Sequence, residues 1–295
     1  METSKHSAPV APSSTRWGPE KRLEFIDFRL RWDGRLNRSD ISDFFGVSTP
    51  QASLDIARYL EMVPGNARYD RKERTYIATE GFDSLFPSSQ PQKYLSDLLM
   101  QAYGVLGRGE SFLGWTPPVA VAPTPVRTLN AATLIALLGA MRRGSALGMT
   151  YQSMTSLVPK TRVVSPRGFG HDGHRWHVRA FCHLEQGYRD FVIARILSLG
   201  PEQAPPSNPP EDVEWETMVP LVLAPNPGLP EAHRRVIELD YGMAEGEVRF
   251  ECRRAVLLYV IHNLGLDHVD GRSPKVQQIV LRNRAEIELL LPQRG

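Results

Sequence analysis

Apolar positions at helical spacing predict two helices near the N-terminus. In KRLEFIDFRLRW, Leu23, Ile26 and Leu30 share one face of a helix. After the Asp-Gly pair at 33–34, Ser39 is expected to cap a short helix, SDISDFFGV, because a Ser hydroxyl accepts a hydrogen bond from a free N–H of the first turn. Gly46 is placed to end that helix, since glycine readily adopts the left-handed conformation that closes helices.

A third helix follows, and two starting points fit the sequence. Ser48 with Gln51 matches a capping box, whereas Thr49 followed by Pro50 places proline at the first helical position. Its inward face is expected to comprise Ala52, Ile56, Tyr59, Leu60 and Val63. Behind it, RYDRKERTYIA predicts two short strands around a charged turn. Helix, glycine-containing turn, helix and hairpin together predict a winged helix-turn-helix.

Polar side chains remain on the outward face of this predicted module. A second helix of this kind presents such side chains to base edges in the major groove, while basic residues of a wing meet phosphates. The candidate DNA-binding residues are Ser48, Thr49, Gln51, Ser53 and Arg58 on the third helix, and Arg68, Arg71 and Lys72 in the hairpin. A three-helix interaction module with a solvated polar face stays open as an alternative.

The middle of the chain changes from helical to strand periodicity. Residues 129–143 predict a helix, and SALGMTYQSM, HRWHVRAFCH and YRDFVIARILSL predict strands, the last with Arg195 inside it. Short strands joined by tight turns favour a small antiparallel barrel. In HRWHVRAFCH, strand alternation assigns one face to His174, Trp176, Val178, Ala180 and Cys182, and the other to Arg175, His177, Arg179, Phe181 and His183.

Proline-rich stretches separate these parts from each other and from a C-terminal unit. Residues 1–15 predict a disordered tail, 117–126 an extended connector and 201–212 a linker. Beyond the linker, VEWETMVPLVLAPN and EVRFEC predict strands. A helix is expected from Glu231 to about Leu239 and another through RRAVLLYVIHNLGL, so the last unit is expected to be α+β.

Composition narrows the class of protein. With 41% hydrophobic and 23% charged residues, a chain of 295 residues is expected to be globular, with about two or three domains. No stretch approaches the roughly 18 consecutive apolar residues that cross a bilayer, and the first residues lack the apolar block of a signal peptide. We therefore expect a cytoplasmic protein, nucleoid-associated if it binds DNA, with no membrane partner.

Charge is distributed unevenly along the chain although the net charge is only +2. Residues 141–200 carry nine Lys and Arg against three Asp and Glu, whereas residues 201–247 carry two against ten. A basic region beside an acidic one indicates that the basic region meets an anion. A solvated basic face is the alternative.

Signals for catalysis or metal binding are weak. His174 and His177 point to opposite faces of a strand and lack an obvious carboxylate co-ligand, which disfavours zinc. Cys182 alternates with apolar residues, which is the pattern of a buried, packed thiol. Two cysteines, Cys182 and Cys252, are too few for a disulfide framework. Because paired carboxylates in a catalytic setting are also missing, we expect no enzyme, no metal and no cofactor. A hydrolase using the histidines is the weakest alternative.

Four motifs of the middle region resemble a known family. YQSM (151–154), SPRGF (165–169), DGHRWHVRAFCH (172–183) and YRDFVIARI (188–196) together resemble a WYL domain, a small barrel related to Sm and SH3 folds. The family serves as a ligand sensor in bacterial transcriptional regulators, after a winged helix-turn-helix and often before a C-terminal domain called WCX. The motifs are most similar to the CapW and BrxR type regulators, which repress anti-phage defence operons. Here Trp176 is followed by His177 and Val178 instead of the name-giving Tyr and Leu.

The resemblance implies a ligand site on the barrel. Matching the family's pocket motifs points to Tyr151, Ser153, Arg167, Trp176, His177, Arg179, Arg189 and Arg195. Arginines, hydroxyls and aromatic rings suit phosphates and stacked bases, and the family's ligand is thought to be a nucleic-acid fragment or nucleotide. The alternative is that Trp176 and Tyr151 are core residues and that the arginines pair with Asp190 and Glu185.

These expectations combine into an α+β multidomain protein. We predict a tail over 1–15, a winged helix-turn-helix over 16–90, a helical connector over 91–128, a WYL barrel over 129–200, a linker over 201–212 and a WCX dimerisation domain over 213–295. The predicted function is a homodimeric repressor on an inverted-repeat operator, released by an anionic effector such as single-stranded nucleic acid or a nucleotide. An RNA or single-strand binding protein using the Sm-like barrel, and a WYL-type activator, remain alternatives.

Overall fold

The computed structural model describes residues 18–107, 109–123, 125, 127–267 and 272–291. The tail predicted over residues 1–15 lies outside these ranges. The chain divides into two compact units, Met1–Thr124 and Pro125–Gly295. Both units combine helices with antiparallel sheets, so the predicted α+β multidomain class is confirmed.

Helices and a small sheet form the first unit. The helices are α1 (Pro19–Asp33), α2 (Arg38–Phe45), α3 (Thr49–Met62) and α4 (Pro91–Ala102), and the strands are β1 (Arg35–Leu36), β2 (Ala67–Asp70) and β3 (Thr75–Ala78). The strands pair antiparallel in the order β1-β3-β2. The hairpin of β2 and β3 is the predicted wing, and β1 extends it.

The predicted cap of α2 is wrong by two residues. Asn37 caps the helix, and its backbone N–H donates to the Asp40 carboxylate at 2.6 Å in a capping box. With a cap at Ser39, the third helical position would be Ser42, whose side chain is shorter than the acidic or amide side chain that a capping box uses there. Asn37 with Asp40 therefore satisfies the free N–H groups better. Gly46 ends α2 as predicted, with a φ of 67°.

A buried carboxylate anchors the core of the first unit. Asp27 of α1 is fully buried and accepts hydrogen bonds from the Tyr59 hydroxyl at 2.8 Å and from the Ser89 hydroxyl at 2.7 Å. Around it pack the apolar side chains of α1, α2 and α3, joined by Phe112 and Leu113 of the following segment. The first helix therefore holds α3 by apolar contact and by a directed hydrogen bond.

The second unit begins with α5 (Ala131–Arg143) and a five-stranded antiparallel sheet. Its strands are β4 (Ala146–Tyr151), β5 (Lys160–His171), β6 (Trp176–Cys182), β7 (Gly187–Val192) and β8 (Ile196–Gln203), in the order β7-β6-β5-β4-β8. Only a single 3-10 turn, Ile193–Arg195, separates the two edge strands in sequence. In a flat sheet these edges would be about 19 Å apart at about 4.8 Å per strand, whereas three 3-10 residues span about 6 Å. The sheet must therefore curl, which gives the small barrel that was predicted.

Two details of the barrel differ from the sequence prediction. Arg195 lies in the 3-10 turn and not inside a strand, because YRDFVIARILSL is divided between β7 and β8. β8 also continues to Gln203, into the stretch predicted as linker. The predicted packing of Cys182 is confirmed, since its thiol is buried among Val178, Ala180 and their neighbours in the barrel core.

A second, smaller sheet completes the second unit. Its strands are β9 (Met218–Pro225), β10 (Val248–Arg253) and β11 (Ile279–Leu281), in the order β10-β9-β11, and the helices are α6 (Val213–Glu216), α7 (Glu231–Asp240), α8 (Leu257–Asn263) and α9 (Arg284–Leu290). The prediction of a strand at VEWE is wrong. Asp212 caps α6, because its side chain accepts from the Trp215 N–H at 3.2 Å.

The start of α8 also differs from the prediction of one helix through RRAVLLYVIHNLGL. Arg253 ends β10, and Arg254–Val256 form a 3-10 turn before α8 begins. The predicted helix from Glu231 and strand around EVRFEC are confirmed as α7 and β10. None of the helices within the described ranges is long and apolar enough to cross a membrane.

Candidate nucleic-acid interface and ligand pocket

The first turn of α3 is exposed and capped by Ser48. The Ser48 hydroxyl accepts a hydrogen bond from the Gln51 N–H at 3.4 Å, and Pro50 lies within the first turn. This confirms the first of the two predicted starts. Ser48 and Thr49 are both exposed at this end of the helix, so their hydroxyls are accessible from solvent.

A buried ion pair fixes the orientation of α3 on α1. Arg22 donates to the Asp55 carboxylate at 2.6 Å and 3.2 Å, and both residues are buried. Gln51 donates to the same carboxylate at 3.1 Å, and the Ser53 hydroxyl donates to the Thr49 carbonyl at 3.0 Å. Gln51 and Ser53, two of the predicted base-reading residues, therefore have partners within α3, whereas the Thr49 hydroxyl has no hydrogen-bond partner among the described residues.

The wing presents basic side chains from a fixed turn. Asp70 accepts from the N–H groups of Glu73 and Lys72, and these hydrogen bonds lower the pKa of the Asp70 carboxyl. Arg68, Arg71 and Lys72 are exposed around this turn. Arg58, near the end of α3, is exposed as well. All eight predicted DNA-binding residues thus belong to α3 or the wing, or lie directly next to α3.

Two residues of this surface were missed by sequence reasoning. The Arg38 guanidinium lies over the rings of Tyr69 and Tyr76, 5.5 and 5.6 Å from their centroids, and donates to the Tyr76 hydroxyl. It adds a positive charge between α2 and the wing. Leu54 of α3 is 65% exposed and lies one turn before Arg58. In the sequence, Leu54 is an apolar residue outside the inward face of α3, and this could have identified it.

In the second unit, the candidate ligand residue Arg179 is enclosed by carboxylates. Only 5% of Arg179 is exposed. It donates to Asp212 through two hydrogen bonds of 2.7 and 2.8 Å, to Glu214 at 2.7 Å and to Asp190 at 3.4 Å. Burial alone would lower the pKa of Arg179, but the hydrogen bonds that it donates to Asp212 and Glu214 outweigh burial and raise the pKa.

The acidic segment, residues 211–216, supplies most of these carboxylates and reaches a second candidate. Arg167 forms an ion pair with Glu216. Trp215 packs directly on Gly168, where a Cβ atom would lie 2.7 Å from the indole ring. Gly168 pairs with Arg179 across β5 and β6, so the structure brings Arg167 and Arg179 together beneath the acidic segment.

His177 lies on the same face of β6, in a separate set of contacts. Only 4% of it is exposed, and its ring stacks on Tyr259 of α8 with centroids 5.1 Å apart. The Tyr259 hydroxyl donates to Asp190 at 3.0 Å. Burial lowers the pKa of His177, against the opposite influence of Asp172 and Asp190.

The charges that face His177 come from several elements. Asp172 lies 3.6 Å from Nε2 and is itself bound by Arg175 at 2.8 Å. Although burial raises the pKa of Asp172, hydrogen bonds from the His174 and Arg175 N–H groups and from the Arg175 side chain bring it to about 2. Arg175 and Arg195 add positive charge that lowers the pKa of His177.

The other predicted ligand residues are dispersed over the barrel. Tyr151 is buried, and its hydroxyl accepts from the Val192 N–H at 3.2 Å. Trp176 is 49% exposed and contacts His171. Arg189 donates to Glu185 at 3.0 Å. The alternative prediction of core and paired residues therefore describes Tyr151, Arg189 with Glu185 and Arg179 with Asp190, but not Trp176.

Ser153 and Arg195 occupy the remaining positions. Ser153 lies in the loop after β4, where its hydroxyl bonds to that of Thr155 at 2.7 Å. Within the described ranges, the Arg195 side chain is part of no hydrogen bond or ion pair.

A cavity of about 290 Å³ lies next to His177's partner Tyr259, and its lining also includes Asp172, Arg175 and Asn263. No described group of three or more His, Cys, Asp or Glu side chains is placed to hold a metal ion.

Three family models match successive parts of the chain. Residues 18–100 match the BrxR transcriptional regulator winged helix-turn-helix domain, residues 132–201 the WYL domain, and residues 218–287 the BrxR transcriptional regulator C-terminal dimerization domain. The order is the one that the motifs predicted. Among solved structures, the proteasome accessory factor B/C (PafBC) of Arthrobacter aurescens is 15% identical, with a TM-score of 0.25 over 96% of this chain and 51% of that chain.

Curated relatives match over nearly the whole length. A Pseudomonas aeruginosa protein named DNA-binding transcriptional repressor CapW is 48% identical over 94% of this chain and 93% of its own length. Proteins of the same name from Escherichia coli and Stenotrophomonas maltophilia are each 40% identical, over 99% and 94% of this chain and 98% and 93% of their own lengths. The chain therefore belongs to the CapW family of DNA-binding transcriptional repressors.

Proposed function

We propose that this protein is a sequence-specific DNA-binding transcriptional repressor that acts as a homodimer. The observation that carries the proposal is the exposed, capped first turn of α3 beside a wing with basic side chains, in a chain of the CapW family. A helix of this kind fits the major groove, and a wing fits the adjacent backbone. The proposed role is regulatory and not enzymatic.

The residues of the first unit divide between base reading and positioning. Thr49 and Ser48 offer hydroxyls that can bond to several base edges, and Leu54 offers an apolar contact for a thymine methyl group. Gln51 keeps its amide oxygen for DNA while its N–H stays on Asp55. Charged side chains of the wing and the end of α3 would meet phosphates and fix the register without reading sequence. They are Arg58, Arg68, Arg71 and Lys72.

A two-fold dimer would place two copies of α3 on an inverted repeat. The match of residues 218–287 to a C-terminal dimerization domain supports the dimer. In a closed two-fold assembly both subunits use the same surface, so the DNA site has the same symmetry. We propose that the half-sites lie about one helical turn apart on DNA of the bacterial nucleoid.

We further propose that an anionic effector on the WYL barrel relieves repression. The resemblance to sensors of anti-phage operons and the arginines of the barrel support a single-stranded nucleic acid or a nucleotide as the effector, and a defence operon as the target. The ligand set proposed is Tyr151, Ser153, Arg167, Trp176, His177, Arg179, Arg189 and Arg195. Such a ligand shifts the dimer only by its difference in affinity for the bound and released states.

The test is binding of the purified protein to duplex DNA from directly upstream of its own gene. Fluorescence anisotropy at fixed salt compares this duplex with a shuffled duplex of the same composition, because phosphate contacts alone make binding salt-dependent and unspecific. We expect at least about a thousandfold preference for the upstream duplex and its loss when a short single-stranded oligonucleotide is added. Equal affinity for both duplexes would contradict the proposed function.

A further inference from the structure

The ion-paired cluster around Arg167 and Arg179 carries no excess positive charge in this structure. Three guanidinium groups meet four carboxylates there, which leaves one excess negative charge. The guanidinium groups belong to Arg167, Arg179 and Arg253, and the carboxylates to Asp190, Asp212, Glu214 and Glu216. The carboxylates of this cluster would therefore compete with a phosphate-bearing ligand for the same guanidinium groups.

The acidic segment occupies the place that a phosphate group would take. Asp212 engages Nε and Nη2 of Arg179 at 2.7 and 2.8 Å. This is the two-pronged geometry by which arginine binds either a carboxylate or a phosphate. Glu214 adds a third oxygen at 2.7 Å, and Glu216 engages Arg167. One short segment thus satisfies two arginines that an anionic ligand would use.

The acidic segment has little regular structure of its own. α6 contains only four residues, and few backbone hydrogen bonds hold it, among them those from the Trp215 and Glu216 N–H groups to the Asp212 carbonyl. Helices this short are unstable unless tertiary contacts hold them. The side chains of Glu214 and Glu216 are about half exposed, so their ion pairs with arginine are open to exchange with another anion.

The acidic segment is bonded to the C-terminal sheet, so its displacement would break contacts with β9 and β10. α6 leads directly into β9, and the Thr217 carbonyl accepts from the Arg254 N–H at 2.9 Å at the end of β10. The Arg253 side chain donates to the Trp215 carbonyl and lies over the Trp215 ring. These strands lie in the region that matches a dimerization domain.

We propose that the acidic segment is an internal competitor for the phosphate-bearing effector. The effector replaces the carboxylates of Asp212, Glu214 and Glu216 on Arg179 and Arg167, and the released α6 loosens the start of β9 and its bonds to β10. Effector binding is thereby coupled to the dimerisation region. This inference rests on the proposed function in so far as that function puts an anionic ligand on the barrel.

The first test compares the affinity of four proteins for one anionic probe. The probe is a fluorescein-labelled hexathymidylate, read by anisotropy, and the proteins are the unaltered chain, Glu214→Gln, Glu216→Gln and the control Glu211→Gln. Glu211 is exposed next to Asp212, and its carboxylate has no partner among the described residues. The control therefore removes the same charge without removing competition.

We expect Glu214→Gln and Glu216→Gln to bind the probe about two- to fivefold more tightly than the unaltered chain, the range set by loss of one partly exposed ion pair. Glu211→Gln should remain within about twofold. An equal gain in all three variants would reduce the effect to net charge and overturn the inference. No probe binding by any protein would overturn it as well.

The second test asks whether the segment moves. Hydrogen exchange of residues 211–217 is measured by mass spectrometry with and without the probe, and faster exchange of the Trp215 and Glu216 N–H groups is expected when the probe is bound. Unchanged or slower exchange with the probe bound would overturn the inference. Failure of the proposed function is distinct, because it appears as loss of preference for the upstream duplex in the unaltered chain without any probe.

Discussion

Removal of the Asp212 carboxylate tests how far the second unit depends on the acidic segment. Asp212 is 33 residues from Arg179 in sequence, and both side chains are buried. In Asp212→Ala the guanidinium of Arg179 stays charged, loses two hydrogen bonds and keeps those that it donates to Glu214 and Asp190. The N-cap of α6 is lost in the same variant.

The contacts set the size of the effect. Loss of one partner of a buried ion pair costs about 3–5 kcal/mol, and the two remaining carboxylates place this pair near the lower limit. Loss of the cap adds about 1 kcal/mol. We therefore expect the free energy of unfolding of the second unit to fall by about 3–4 kcal/mol, which is a shift of about 1.5–2 M urea for a slope near 2 kcal/mol/M.

The assay is urea denaturation with hydrogen exchange of β6 and β9 as the readout. These strands belong to the second unit, so the readout distinguishes its unfolding from that of the first unit. Asp212→Asn keeps an oxygen acceptor and the cap, so about half of the loss is expected. Glu211→Ala, next in sequence and exposed, should change stability by less than about 0.5 kcal/mol. A loss below about 1 kcal/mol in Asp212→Ala, or one equal to that of Glu211→Ala, would refute the reasoning.

Three further predictions concern the cap, the buried imidazole and the wing. Ser48→Ala removes the cap of α3 and should cost the first unit about 1 kcal/mol in urea denaturation, whereas Ser48→Asp should not; equal losses would exclude capping as the cause. Burial holds the pKa of His177 below its ordinary value near 6.5, so the unfolded chain takes up a proton first and the free energy of unfolding should fall as the pH drops from about 7 to about 5. His177→Gln should weaken this dependence and the exposed control His174→Gln should not; the idea fails if both keep the same slope. Arg71→Ala should reduce affinity equally for upstream and shuffled duplexes and lower the salt slope by about one, and a loss confined to the upstream duplex would instead make Arg71 a base-reading residue.

Local rules were enough to predict the helix-turn-helix and the barrel. Apolar spacing identified the inward face of α3, where Ala52, Ile56 and Tyr59 are buried, because a helix must bury the stripe that packs on its neighbour. Strand alternation likewise separated Val178 from Arg179, which lie on opposite faces of β6. Such patterns depend only on the period of the element, so they can be read from a sequence.

Partners distant in sequence were beyond these rules. The excess of basic residues over 141–200 and of acidic residues over 201–247 was visible, and it predicted an anion for the barrel. In the structure the anions nearest Arg179 and Arg167 are the chain's own Asp212, Glu214 and Glu216. Charge counts cannot name a partner, because an arginine pairs as well with a distant carboxylate as with a ligand phosphate.

Short elements were also mispredicted where a single cap decides them. VEWE has the β-branched and aromatic residues of a strand, yet Asp212 accepts from the Trp215 N–H and starts a helical turn. The cap of α2 at Asn37 instead of Ser39 follows from the second half of its capping box, Asp40. In both cases one side-chain hydrogen bond outweighs a propensity summed over only a few residues.

The most direct test of the central claim is transcription in vitro from the region upstream of the gene. Purified RNA polymerase transcribes this template and a control template with shuffled sequence, with increasing amounts of the unaltered protein. The account predicts that transcript from the upstream template falls as the duplex becomes bound, while the control template is unaffected. Transcription that stays constant on the bound template, or rises with it, would contradict a repressor.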